Sequence, residues 1–325
     1  MSHEQPPRTH AEADVYAPQA IIAVESRWPV PHPIPYQGSK RQLAPAILRY
    51  FPEQFDTLVE PFAGSAAISL AVAFKGLAKR FVINDAHEPL GALWDEIVER
   101  PAQLANDYRD LWHRQRGNER AFFDEVRAEF NQSHTPSTFF YLLARCVKAA
   151  IRYNGDGEFN NSPDNRRKGA TPQTMRERIE GASALLRDRT TISARDYRAV
   201  LAECDERCVI YMDPPYQGVS GKRDNRYAPK VDHAEFCDAL AALNKNGRMY
   251  VVSYDGRMGT KVYGEPLPKS LELLHLELHA GRSSQATLLG RESETYESLY
   301  VSPALVAKTS DLSKKVRRQQ PSLFD

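Results

Sequence analysis

The feature that most constrains this chain is a short apolar run that stops in a turn of small residues and restarts as a helix. Thr57-Leu58-Val59-Glu60 reads as a strand, Pro61-Phe62-Ala63-Gly64-Ser65 as a tight turn, and Ala66 to Phe74 as an apolar helix. Such a strand, turn and helix form the first unit of an open, doubly wound α/β sheet, and ligands of these sheets sit outside the carboxyl ends of the strands. Arg80-Phe81-Val82-Ile83-Asn84-Asp85 supplies the next strand, with an acidic residue at that end. The pattern resumes far along the chain. Cys208-Val209-Ile210-Tyr211-Met212 runs into Asp213-Pro214-Pro215-Tyr216, Asp232 caps a helix through Leu243, and Arg248 to Tyr254 is a further strand. Leu271 to Leu278 and Glu297 to Val301 complete the sheet.

Between the two halves the texture changes. Leu93, Ile97, Leu104, Tyr108 and Leu111 recur at helical spacing, as do Phe122, Val126 and Phe130, and then Phe139, Leu142, Leu143 and Cys146. A polar stretch rich in Gly and Asn, Arg152 to Thr171, interrupts before a helix from Pro172 to Leu186. This reads as a mostly helical insertion over 89–189 carrying one loop or hairpin, set into a catalytic sheet made of 34–88 and 190–303. Residues 1–33, rich in Pro, Ala and His, read as disordered, with order beginning near Ile34. Residues 304–325 read as a flexible basic tail.

Composition bounds the function. The 325 residues suffice for one large domain with a smaller insertion, and 42% hydrophobic with 26% charged residues fits an ordinary packed core. No apolar run is long enough to span a bilayer, and the opening residues lack a signal-peptide core, so no membrane partner is expected. Cys146, Cys204, Cys208 and Cys237 are too scattered for a disulfide framework, which fits a reducing cytoplasm. Cys204 and Cys208 have half of a metal-ligand spacing without the other half, so no metal is expected. The net charge of +1 does not announce a nucleic-acid partner. Three basic groups do point to phosphate: Arg166-Arg167-Lys168 with Arg176 and Arg178, Lys222-Arg223 with Arg226, and Lys314-Lys315 with Arg317-Arg318. Each alone is more often a solvated face than a binding site, and it is their occurrence together beside the chemical motifs that points to phosphate.

The chemistry concentrates at Asp213-Pro214-Pro215-Tyr216. An exocyclic amine on an aromatic base is a poor nucleophile because its lone pair is delocalised into the ring. The Asp213 carboxylate and the Pro214 carbonyl can accept both amine hydrogens, and Pro214 and Pro215 stiffen the backbone that aims those acceptors. Tyr216 offers a face on which an extruded base can stack. An ordinary strand-ending turn remains the alternative. The turn around Gly64 lets a ligand approach backbone closely, or serves only strand–helix packing. Asp85 is placed to hold ribose hydroxyls, or to act as a cap.

In combination and order, these motifs resemble the Dam-like, D12-class, α-group DNA adenine N6-methyltransferases. The shared pattern is Ile34-Pro35-Tyr36-Gln37-Gly38-Ser39-Lys40, then Glu60-Pro61-Phe62-Ala63-Gly64, Asn84-Asp85, Arg152-Tyr153-Asn154-Gly155-Asp156-Gly157-Glu158-Phe159-Asn160, and Asp213-Pro214-Pro215-Tyr216. It covers roughly Ile34 to Val301. The resemblance implies a Rossmann-like S-adenosylmethionine-dependent methyltransferase sheet with an inserted, mostly helical target-recognition domain. It implies that Tyr36 and Lys40 close over S-adenosylmethionine. Glu60, Phe62, Gly64 and Ser65 line the cofactor, Asp85 holds its ribose, and Asp196 and Asp213 complete that site. Asp213, Pro214, Pro215 and Tyr216 hold the target adenine. Arg152, Asn154, Asn160, Arg166, Arg167 and Lys168 face double-stranded DNA. The chain departs from the family pattern at Ala66, where a second glycine is common, and in the first segment, which usually carries Trp and two glycines.

The implied activity is site-specific methylation of a flipped adenine, in a restriction-modification or Dam-like setting. Asp/Asn-Pro-Pro-Tyr turns also serve RNA adenines and protein amides, and a non-catalytic DNA-binding module is a further alternative. Gln320-Pro321-Ser322-Leu323-Phe324 resembles the short peptide by which bacterial proteins dock on the replication sliding clamp, but peptides this short match by chance, and packing on the chain's own body is the alternative.

Overall fold

A computed structural model describes residues 21–23, 28–215, 231–258, 261–282 and 294–309. Among these residues nine strands form one sheet: β1 (Ile21–Ala23), β2 (Phe55–Glu60), β3 (Ala78–Asn84), β4 (Thr190–Ser193), β5 (Cys208–Met212), β6 (Met249–Met258), β7 (Lys261–Tyr263), β8 (Leu274–Arg282) and β9 (Glu294–Val301). The order is β1-β8-β9-β6-β5-β2-β3-β4, with β7 beside β6. Strands β6-β5-β2-β3-β4 are parallel, and β9 enters antiparallel between β6 and β8. From β2 the chain steps outward to β3 and β4, then crosses back to β5 on the other side of β2. That reversal opens a crevice at the carboxyl ends of β2 and β5, where such sheets hold ligands.

Both faces are covered because the central strands alternate two apolar sets. Leu58, Phe81, Val209, Tyr211 and Val251 enter the larger core with α1 (Ala44–Ile47), α2 (Ala67–Lys75), α3 (Glu88–Glu99), α4 (Pro101–Arg114), α5 (Glu119–Ser133), α6 (Pro136–Arg145) and α7 (Pro172–Leu186). Val59, Ile210, Met212, Tyr250 and Val252 face the other way, against α8 (Tyr197–Ala202) and α9 (His233–Lys245). The residues of 89–189 are mostly helical, as the periodicity predicts. They share one continuous core with the sheet, and Gly91 lies against Ala194 closely enough that an added Cβ would meet its Cβ at 3.3 Å. The helical run from Leu93 to Leu111 divides at Arg100-Pro101. Proline lacks the N–H a continuous helix needs, and Arg100 leaves the helical region at φ −125.

Two expectations about the ends are corrected. Order does not wait for Ile34: Ile21–Ala23 adds parallel to β8, and Trp28 and Val30 pack on the core. Three apolar residues are too few to show an alternation, so this strand has no periodic signature. Nor do residues 304–308 belong to a flexible tail. Ser302 caps the last helix among the described residues, α10 (Pro303–Lys308), its hydroxyl accepting from Leu305 N–H, and Leu305 is fully buried. The Lys222, Arg223 and Arg226 group, the Lys314–Arg318 group and Gln320–Phe324 lie outside the described residues. No helix among the described residues is long and apolar enough to cross a membrane, and no group of three or more His, Cys, Asp or Glu there could hold a metal ion. The four cysteines are free thiols.

Candidate active site

The turn after β2 is held on every side. Gly64 adopts φ +50, a conformation glycine takes without a Cβ clash, and an added Cβ would meet the Tyr36 ring at 3.0 Å. Its N–H donates to Asp85 Oδ2 at 2.9 Å, and its carbonyl accepts from the Trp94 indole, also at 2.9 Å. Ser65 Oγ donates to Ser39 Oγ at 2.8 Å, tying the turn to the segment that precedes Lys40. Ala66, the residue just before α2, is left-handed at φ 44, which accounts for a preference for glycine at that position. The Glu60 carboxylate accepts from Ser69 N–H at 2.7 Å and so caps α2 from the end of β2, since Ala66 has no side chain to do it. Burial pushes Glu60 up to about 7, against the Ser69 N–H bond that favours its ionised form.

Asp85 and Asn84 organise the neighbouring loop ends. Asp85 takes Gly64 N–H on one oxygen and His87 N–H on the other, at 3.0 Å. Burial raises its pKa and these two donors oppose the rise. Asn84 is fully buried and uses its whole amide. It donates to the carbonyls of Pro61 and Arg195 and accepts from Ser193 Oγ and Arg195 N–H. One side chain therefore clasps the segments leaving β2, β3 and β4. Phe62 is half-buried beside Tyr197, their ring centroids 5.0 Å apart, and lends the crevice an aromatic wall.

Asp213 follows β5 directly, across the switch point from Glu60. Its Oδ2 lies 2.9 Å from Lys40 Nζ, and Lys40 also reaches Glu297 Oε2 at 3.2 Å and the Gly38 carbonyl at 3.2 Å. Lys40 is only 4% exposed. Desolvation works against its charge, but Asp213 and Glu297 outweigh that and hold it firmly protonated. Burial raises the Tyr36 phenol well above its ordinary range, with Asp85 and Asp213 adding to the effect. Pro214 is buried and Pro215 exposed. Tyr216 lies outside the described residues.

The structure thus brings Tyr36, Lys40, Glu60, Phe62, Gly64, Ser65, Asp85 and Asp213 to one edge. Asp196 stands beyond β4, where it caps α8 and pairs with Arg198, whose guanidinium holds its carboxyl below the usual range. The residues expected to face DNA form a separate loop. Asn154 closes its tip by accepting from Asp156 and Glu158 N–H, and buried Phe159 plugs it onto Phe130 and Phe139. Asn160, Arg166, Arg167 and Lys168 are exposed, Lys168 pairing with Glu119, while Arg152 is half-buried with its N–H on Asn161. His87 joins this loop to the crevice: its Nδ1 accepts from Leu90 N–H to cap α3, and its Nε2 meets Tyr153 Oη. Sequence reasoning assigned no role to Trp94, His87 or Glu297, and saw Asn84 only as part of a motif. A buried amide at a strand end was a usable signal for Asn84. The others depend on contacts distant in sequence.

Residues 36–275 match the family described as D12 class N6 adenine-specific DNA methyltransferase. The chain is 30% identical over 189 residues to the DNA adenine methylase of Serratia marcescens, covering 57% of this chain and 66% of that one. It is 26% identical over 193 residues to the DNA adenine methylase of Escherichia coli strain K12, covering 57% and 64%. Similarity to modification methylase StsI of Streptococcus sanguinis is 25% over 232 residues, covering 68% of this chain and 35% of the relative. The chain thus spans just under two thirds of the two adenine methylases and about a third of StsI.

Proposed function

Since the chain belongs to the D12 class of N6 adenine-specific DNA methyltransferases, we propose that it methylates the exocyclic amine of an adenine extruded from double-stranded DNA. The observation that carries this reading is the meeting of Asp213-Pro214, the Gly64 turn and Asp85 at the switch point of one sheet. S-adenosylmethionine supplies an electrophilic methyl group when bound. The residues fit that group: the Gly64 turn presents backbone with no side chain, held between the Tyr36 ring and the Asp85 carboxylate, and the Asp85 oxygens keep further lone pairs for ribose hydroxyls. Phe62 offers an apolar face for an aromatic ring, and Tyr36 packs over the turn. Asp196 extends the same edge towards the cofactor's base, with its carboxylate shared with Arg198.

The chain's own contribution is to hold the amine. The Asp213 carboxylate accepts one amine hydrogen and the Pro214 carbonyl the other. Both acceptors are set before the base arrives, so little reorganisation is needed. This draws the amine lone pair out of conjugation and aims it. Tyr216, which ends the same motif, is assigned the stacking role on the base from the sequence alone. Neither a metal nor a covalent enzyme intermediate is part of this reading.

Residues 89–189 serve as the DNA-recognition block. Exposed Asn160, Arg166, Arg167 and Lys168 approach phosphate, Arg152 and Asn154 shape the loop, and binding weakens with salt. Incubating the protein with methyl-labelled S-adenosylmethionine and equal amounts of duplex DNA, RNA and protein tests the reading. Label is expected in duplex DNA as N6-methyladenine, and label confined to RNA or protein would overturn it. Docking of Gln320–Phe324 on a sliding clamp is a separate proposal resting on those residues alone. Unchanged affinity for purified clamp after deletion of 320–325 would sink it.

A further inference from the structure

The Lys40 ammonium poses a problem for the acceptor it touches. A carboxylate in a close ion pair has much of its charge cancelled, and one oxygen already receives a strong charge-assisted hydrogen bond. Asp213 paired with Lys40 alone would form a neutral unit and a weak acceptor for an amine. A cation next to that amine would also oppose drawing out its lone pair. The structure supplies a second carboxylate. Glu297 Oε2 stands 3.2 Å from the same Nζ, so the three side chains together carry one net negative charge.

The position of Glu297 is built into the sheet. It pairs with Gly256 across β6 and β9, just past an irregularity in register between Ser253 and Gly256. A Cβ on Gly256 would fall 2.6 Å from the Tyr296 carbonyl, so the strands can approach there only because residue 256 is glycine. Lys40 itself is fixed by the Gly38 carbonyl and by burial.

We propose that Glu297 is a positioning residue that shares the Lys40 ammonium and thereby preserves the strength of Asp213 as an acceptor for the target amine. Glu297 touches neither base nor cofactor in this account and acts through Lys40. The inference rests on the adenine reading above.

The test compares binding affinities, with S-adenosylhomocysteine present so that no transfer occurs. Two duplexes carry the motif mapped on DNA modified by the wild-type protein. One has adenine at the target position and the other purine, which lacks the amine. The ratio of the two affinities reports how well Asp213 accepts the amine, and a general loss of folding or DNA binding cancels from it. Glu297→Gln is expected to lower the adenine-over-purine ratio about tenfold. Glu297→Asp should keep it within a few-fold of wild type. The double variant Lys40→Met with Glu297→Gln should recover it, because the cation that Glu297 counters is gone. A wild-type ratio in Glu297→Gln overturns the proposal. So does a lowered ratio that the double variant fails to recover. A wild-type protein that modifies no adenine sinks the adenine reading first, and this inference with it.

Discussion

The Asp85 carboxylate accepts the Gly64 N–H at 2.9 Å, joining the end of β3 to the turn that leaves β2. The bond ties together the carboxyl ends of two neighbouring parallel strands, beside the β2–β5 switch point, so the geometry of the turn and the position of the carboxylate are set together. Replacing Gly64 by alanine puts a Cβ 3.0 Å from the Tyr36 ring in a backbone conformation that disfavours it. Gly64→Ala is expected to weaken S-adenosylmethionine binding tenfold or more, with about 1 kcal/mol or more of lost stability. Calorimetric titration checks it, and unchanged affinity would mean that this turn does not shape the cofactor site.

Asn84 makes four hydrogen bonds from a fully buried amide. Asn84→Ala strands two carbonyls, an N–H and a hydroxyl in the interior. The expected loss is roughly 3 kcal/mol or more by denaturant unfolding, a large effect for a residue that touches no substrate in this account. A loss below about 1 kcal/mol would show that the loop ends support each other without it.

Glu60 and His87 give opposite pH dependences. Burial raises Glu60 from 4.5 to about 7, so between those values the folded protein holds a proton that the unfolded chain releases. Its contribution is complete below pH 4.5 and is lost as pH rises through about 7, amounting to about 3 kcal/mol. Burial lowers His87 from 6.5 to about 4, so its contribution is present above 6.5 and is lost as pH falls towards 4. Unfolding measured from pH 5 to 8 should fall less steeply in Glu60→Gln than in wild type. Parallel curves would contradict the assignment.

How far these features were legible depends on how local they are. The β2 strand, the Gly64 turn and α2 could be read because each residue's neighbours in sequence are its neighbours in space. Asp213-Pro214-Pro215 was legible for the same reason. The split at Arg100-Pro101 lay in plain view as a proline, but the apolar period ran across it. The Lys40 contacts with Asp213 and Glu297 join three distant segments, and no pattern around any of the three announces the others. β1 was too short to show a period. α10 was read as part of a polar tail although Ser302-Pro303 carries a helix start, because the basic residues beyond it dominated the composition.

Leu305 tests that last correction. It is fully buried in the larger core, on a helix directly after β9. Leu305→Ala is expected to cost about 2–5 kcal/mol in denaturant unfolding. A change under about 0.5 kcal/mol, the behaviour of an exposed residue, would restore the view of a loose tail.

The central claim is that Asp213 holds an adenine amine for methylation. The most direct measurement is single-molecule sequencing of plasmid DNA from a methylation-free host expressing the wild-type protein or Asp213→Ala. The account predicts modified adenine within one short motif in the wild type and none in the variant. Unmodified DNA from soluble, cofactor-binding wild-type protein would contradict it, as would modification that survives in Asp213→Ala.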